Sequence, residues 1–212
     1  MIKCQRASNI KPDKKTAGSR RFLFLVGSAV LLTGACSGLS AQTVANGYFV
    51  ESGGLVVIEA ESIGALPNSW RNASNYSAPD VNQPGNATGS DFITWEGNQS
   101  LGNPGNSTLV YPVEINNPGT YRFRWRNQVG NGTNTTEHND TWLKVTSEAF
   151  YGQKGGSIVC PKGLNPAQNS CTGGAPNGGG ADGWFKIYSS GANNWSWSTR
   201  TSDNDAHNIF VR

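Results

Sequence analysis

The stretch Leu55-Val56-Val57-Ile58-Glu59-Ala60-Glu61-Ser62 joins a β-branched apolar run to two carboxylates set one residue apart. Leu55 to Ile58 suit a strand buried in a sheet. Because strand side chains alternate between faces, Glu59 and Glu61 are expected on one side, roughly 7 Å apart at the strand end. Two like charges at that spacing either face water and end the strand, or bind a hard cation such as Ca²⁺, which gathers carboxylate and carbonyl oxygens. The residues alone leave both readings open.

A second kind of chemistry lies in the rings. Seven Trp and six Tyr exceed what the core of one small domain needs. Aromatic faces stack on the C–H-rich face of a pyranose while Asn, Asp and Arg hydrogen-bond its hydroxyls. In Asn193-Asn194-Trp195-Ser196-Trp197, alternation puts Trp195 and Trp197 on one face, either in the core or at a cleft. Trp95, closing Asp91-Phe92-Ile93-Thr94-Trp95, is either a further stacking ring or a core residue. His138, Asn139 and Asp140 gather polar groups just before a strand, where they either line a sugar cleft or make ordinary turn chemistry. Tyr121-Arg122-Phe123-Arg124-Trp125-Arg126 alternates without a break, so its rings point inward and its arginines outward. That strip, Arg126 included, either grips acidic sugars or is a solvated face paired with acids such as Glu114.

Catalysis finds no support in the sequence. Glycoside hydrolysis needs two carboxyl groups held a fixed distance apart. The acids beyond the Glu59–Glu61 pair, among them Asp80, Asp91, Glu96, Glu148 and Asp205, lie mostly in turns, and their spacing singles out no pair. His138 and His207 are far apart, and no Gly-x-Ser-x-Gly elbow, His-Glu-x-x-His pair or phosphate loop occurs.

The elements that must position these residues read as strands. No segment after residue 41 sustains a 3.6-residue period. Short apolar or alternating runs recur between turn clusters, as in a β-sandwich or barrel. Strands are expected near residues 48–50, 55–61, 91–95, 107–115, 119–127, 141–146, 184–188, 194–199 and 207–211. Asn116-Asn117-Pro118-Gly119 is a turn between two of them. Residues 63–89 and 153–181 read as long loops. Cys160 and Cys171, eleven positions apart across the second, most simply form a disulfide, worth on the order of 3 kcal/mol.

Residues 1–41 read as an export signal, with residues 42–212 as one domain. Seven basic residues against Asp13 give this leader +6, which leaves −3 of the chain's +3 for the remainder. An apolar run from Phe22 to Leu32 follows, with cleavage expected after Ala41. Ser19-Arg20-Arg21-Phe22-Leu23 is similar to a twin-arginine motif, and Thr33-Gly34-Ala35-Cys36 to a lipoprotein site at which Cys36 would be acylated. The mildly acidic remainder argues against nucleic acid, and against a membrane once the leader is removed unless Cys36 carries lipid.

The run ending Ile58-Glu59-Ala60-Glu61 resembles the opening strand of family 6 carbohydrate-binding modules and their galactose-binding-like jelly-roll relatives. Pro118-Gly119-Thr120-Tyr121, following the strand Tyr111-Pro112-Val113-Glu114-Ile115, resembles their sandwich core. The resemblance covers about residues 44–212. It implies an all-β fold, a two-sheet antiparallel jelly-roll β-sandwich, and a structural calcium held by Glu59 and Glu61. It further implies sugar contact at Trp195 and Trp95, with Trp197 in the core. Those modules space their indoles as Gly-Gly-Trp-x-x-Trp, one residue wider than here. Their closing strands, with a sugar-binding Asn and a calcium-binding Asp, have no counterpart before Arg212. The expectation is therefore a fragment or a truncated product with an open sheet edge. The function expected is a secreted, periplasmic or cell-surface non-catalytic module that binds polysaccharide, with Trp195, Trp95, His138, Asn139, Asp140 and Arg126 at the ligand. The alternatives are a structural or adhesive sandwich, or a polysaccharide-degrading domain.

Overall fold

The computed structural model describes residues 1–6, 20–25, 42–73, 91–99, 104, 107–129, 134, 136–171, 174–177, 183–189 and 194–212. Cys36, Asp80 and Asn193 lie outside the described residues. In chain order the strands are β1 (Ile2–Arg6), β2 (Arg20–Leu25), β3 (Val44–Ala45), β4 (Tyr48–Val50), β5 (Leu55–Ile58), β6 (Trp70–Asn72), β7 (Ile93–Trp95) and β8 (Tyr111–Ile115). They continue with β9 (Tyr121–Trp125), β10 (Asp140–Thr146), β11 (Phe150–Lys154), β12 (Ser157–Pro161), β13 (Ala175–Asn177), β14 (Phe185–Tyr188), β15 (Arg200–Thr201) and β16 (Asn208–Val211). The fold is all-β.

One sheet runs β13-β12-β11-β16-β9-β1-β5 and the other β15-β14-β10-β2-β8-β4-β3, with β6 and β7 forming a separate ribbon. Pairing is antiparallel except where β12 meets β13 and β4 meets β8. Both sheets send alternate residues into one core: Phe123, Phe150 and Ile209 from the first, Tyr111, Val113, Leu143 and Phe185 from the second. Phe150 and Phe185 meet edge-on across it with ring centroids 4.8 Å apart. The alternation read from the sequence is followed closely in β8 and β9, where each second residue is buried. Between them the 116–119 turn carries the chain from the second sheet to the first. Buried Glu51 pins it, accepting hydrogen bonds from Asn117 N at 2.8 Å and Asn117 Nδ2 at 2.7 Å, while its other oxygen accepts from Gly54 N.

Four expectations need correction. The strand expected at 55–61 ends at Ile58, and Ala60–Ile63 winds into a 3₁₀ turn. Among the described residues, 194–199 pair only through the single bridge of Ser196 with Asn127. The loop expected at 153–181 contains the β11–β12 hairpin, turning on Gly155 and Gly156, and then β13. The loop expected at 63–89 contains β6. In the 153–181 segment the disulfide forms between Cys160 and Cys171, with Cα atoms 5.9 Å apart. Asn169, also buried, imitates a strand partner: its side chain accepts from Phe150 N and donates to Phe150 O, both at 2.9 Å.

Two strands come from the stretch read as a leader. β1 lies between β5 and β9, antiparallel to both. β2 lies between β10 and β8, again antiparallel to both. Cleavage after Ala41 would therefore empty one central position in each sheet. A chain of residues 42–212 would then expose the hydrogen-bonding edges of β5, β9, β8 and β10. By light scattering it is expected to self-associate at concentrations where the 1–212 chain is monomeric. A monomeric 42–212 chain with an unchanged melting temperature would show that β1 and β2 do not hold the sheets together.

Candidate functional site

The tryptophans divide sharply. Only Trp125 is buried; Trp95 is 38% exposed, and Trp70, Trp142, Trp184, Trp195 and Trp197 are each partly exposed. Trp195 and Trp197 follow one another past the C-terminal end of β9, where Asn127 and Ser196 form a bridge and Thr199 Oγ1 binds both Trp125 N and Trp125 O. Each ring carries a guanidinium from the strip: Arg126 stands 5.0 Å from the Trp195 centroid and Arg124 5.6 Å from that of Trp197. Such cation–π contacts hold the rings in fixed orientations.

The two indoles differ in their surroundings. Trp195 packs against the core and meets Phe92 edge-on at 5.5 Å, and its buried Nε1 finds no acceptor among the described residues. Trp197 is not among the residues packed on the core. Alternation could not separate them, because both rings leave the chain on one side and the discriminating contact comes from Phe92, far away in sequence.

Trp95 lies on the β6–β7 ribbon opposite Trp70, their rings 5.3 Å apart and close to perpendicular. A side chain at Gly97 would strike the Trp95 ring, so that glycine leaves room for the indole to fold back over the chain. Phe92, just before β7, links this ribbon to Trp195.

His138, Asn139 and Asp140 are arranged differently. His138 is exposed in a turn with φ of 57°. Asn139 is buried, and its Nδ2 donates to Ser189 O at 2.9 Å, tying the start of β10 to the end of β14. Asp140 lies 3.3 Å from Lys186, which also pairs with Asp203. The contacts described for Asn139 and Asp140 run to β14.

The outer face of the first sheet supplies residues that sequence reasoning passed over. In register, Arg122 of β9 lies opposite Phe210 of β16, which lies opposite Tyr151 of β11. The Tyr151 and Phe210 rings stack at 5.7 Å with an interplanar angle of 22°. Arg122 Nη2 donates to Asn208 Oδ1 at 2.7 Å on the same face. Alternation along β16 puts Asn208 and Phe210 on one side, and the sheet order brings Tyr151 beside them.

The acidic pair is set by the turn rather than by strand alternation. Glu59 is buried, in extended backbone as the residue preceding the 3₁₀ turn, and Glu61 lies within it. Gln42 Oε1 accepts from Glu59 N at 2.6 Å, and the buried Tyr111 hydroxyl donates to Ala60 O at 2.9 Å, fixing the turn from both sides. Glu61 Oε2 is buried with no hydrogen-bond donor among the described residues. Burial pushes the Glu61 carboxyl up to about 7; a backbone hydrogen bond and the chain's N-terminal ammonium pull it down, and Glu59 and Asp91 repel its charge. An oxygen-rich pair that resists ionisation suits a hard divalent cation, which would supply the missing positive charge. Among the described residues no set of three or more His, Cys, Asp or Glu gathers as a metal group, so main-chain carbonyls or water would have to complete a shell here.

A Ser–His contact also occurs: His207, fully buried, places Nε2 3.0 Å from Ser157 Oγ. Its Nδ1 rests on the Asp205 main-chain carbonyl, whereas the Asp205 carboxylate is 3.9 Å away and is taken up by Lys154. No carboxylate orients this imidazole as a triad would require, and the contact clamps the β11–β12 hairpin to β16.

No family model, curated protein or solved structure matches the chain.

The Glu61 shift fixes a sign. A carboxyl whose folded pKa is raised stabilises the fold below its ordinary value of 4.5, and that contribution is lost as pH climbs through 7. With chelator present, the melting temperature is expected to fall from about pH 5 to about pH 7.5 by more in the native chain than in Glu61→Gln, whose amide stays neutral. Equal falls would show that Glu61 is not held in this state.

Proposed function

We propose that this chain is a secreted, periplasmic or cell-surface polysaccharide-binding module without catalytic activity, a jelly-roll sandwich of the kind its resemblance to family 6 carbohydrate-binding modules implies. The observation that carries the reading is the exposure of the indoles: six of the seven keep part of their surface in water. Burying an indole is strongly favourable, so a domain that leaves this much aromatic surface exposed has use for it on the outside. Trp197 beside Arg124, and the stacked Tyr151 and Phe210 beside Arg122 and Asn208, combine flat apolar faces with hydrogen-bonding groups, as pyranose recognition requires.

The ligand face in this reading is the outer face of the first sheet together with the 194–200 crossover. Trp95 contributes from the neighbouring ribbon. The calcium reading of Glu59 and Glu61 is kept as part of the proposal, with the ion in a structural role away from the sugar. Export is kept as well, and it meets a structural demand. If the leader is cleaved after Ala41, other strands must take the places of β1 and β2. The N-terminal sequence of the exported protein distinguishes a cleaved form from one that retains them.

Two tests follow. In affinity electrophoresis the 1–212 chain is expected to be retarded by at least one polysaccharide, with Trp197→Ala weakening retention about tenfold, equivalent to ~1.4 kcal/mol. Free migration across a broad panel, with tryptophan fluorescence indifferent to every glycan, would leave a structural or adhesive sandwich instead. For the metal, calcium is expected to raise the melting temperature of the native chain and not that of Glu61→Gln, since a ligand bound only by the native state stabilises it by mass action. Identical melting with calcium and with chelator would refute the ion.

A further inference from the structure

The described surface cations differ in their partners. Arg71, Lys154, Lys186 and Arg212 each meet a carboxylate: Glu96, Asp205, Asp140 with Asp203, and Glu148. Arg122 and Arg124 from β9 and Arg200 from β15 meet none among the described residues. Their acceptors are neutral, Asn208 Oδ1 at 2.7 Å, Trp197 O at 3.4 Å and Thr199 O at 2.9 Å.

These three charges are partly withdrawn from water and crowd one another. Burial lowers the pKa of Arg122 and of Arg124, and repulsion adds to it, from Arg124 and Arg200 on the former and from Arg200 on the latter. Arg122 Nε is a buried donor with no acceptor among the described residues. The domain thus holds three guanidinium groups together with unspent donor capacity and, among the described residues, no carboxylate paired with them. Beside them lie the Trp197 ring and the stacked Tyr151 and Phe210. Guanidinium forks match the paired oxygens of sulfate and carboxylate, and each such bond is charge-assisted.

We propose that Arg122, Arg124 and Arg200 form an anion subsite that takes the sulfate or uronate carboxylate groups of an acidic polysaccharide. This rests on the reading of the same face as a glycan platform and specifies its ligand. The neighbouring rings favour a sugar chain over a bare polyanion.

The test uses the 1–212 chain and matched ligand pairs: a sulfated galactan with its desulfated form, and a polyuronate with its carboxyl-reduced form, with single-stranded DNA as a third arm. The charged member of one pair is expected to bind at least about tenfold more tightly, weakening severalfold between about 50 and 300 mM salt. Which pair responds identifies sulfate or carboxylate as the group recognised. Arg200→Gln, whose described contact is a hydrogen bond to the Thr199 main chain, is expected to remove that preference while leaving the melting temperature and any binding of the neutral member unchanged; Arg124→Gln, which also gives up the Trp197 ring contact, is expected to weaken the charged member by more than the neutral one, and Arg124→Lys to restore part of the difference. Equal, salt-insensitive binding of both members would overturn the anion subsite and leave the glycan reading standing. Tighter binding of DNA than of either acidic glycan would overturn the ligand class. Absence of binding to every glycan would bring down the platform reading as well.

Discussion

Strict alternation along β9 is the constraint on which the rest depends. Tyr121, Phe123 and Trp125 fill the core from one side of the strand, so Arg122 and Arg124 have no freedom to point anywhere but outward. A slip of one residue would bury the guanidinium groups and expose the rings. The hydrophobic core therefore fixes the position of the arginines, although it makes no use of their charge. Everything laid on the outer face follows from that register: β16 brings Asn208 and Phe210 alongside, β11 adds Tyr151, and the crossover at 194–200 lays Trp197 against Arg124.

The same logic explains why the acidic pair is rigid. Tyr111 belongs to the core of the second sheet, yet its hydroxyl reaches the main chain of Ala60 between the two glutamates. Gln42 holds the turn from the other side. The main chain on either side of Glu61 is thus held by groups whose own positions are set by packing, and the Glu61 carboxyl is kept partly out of water. Burial of Glu61 is the leading cause of its raised pKa, with the neighbouring acids adding to it.

Much of the fold was legible in the sequence wherever a strand alternates cleanly, and β8, β9, β10 and β16 lie close to their expected positions. Legibility failed where local signal and tertiary pairing part company. Ser157-Ile158-Val159-Cys160 sits in a Gly- and Asn-rich stretch that reads as loop, and it becomes β12 only because β11 offers it an edge. Glu59 and Glu61 continue a β-branched run, but the chain turns after Ile58, and no residue in the run announces it. The stretches Ile2–Arg6 and Arg20–Leu25 look like a basic leader by composition, yet both lie mid-sheet, a pairing to which composition is blind. The site was legible in part: the arginine strip and the paired indoles were evident as residue types. Tyr151 carried no signal of its own and joins the surface through sheet order, and Arg200, on β15 of the second sheet, is brought toward β9 by the preceding segment, whose Ser196 bridges Asn127 and whose Thr199 binds the Trp125 main chain.

The most direct measurement is a titration of ¹⁵N-labelled 1–212 chain with a polysaccharide, following the indole N–H resonances of the seven tryptophans. If the exposed rings meet sugar from the outer face of the first sheet, the Trp197 signal shifts with ligand while that of buried Trp125 stays in place. Signals that all remain fixed under saturating ligand, or a shift confined to Trp142 and Trp184 on the other sheet's side, would contradict the account.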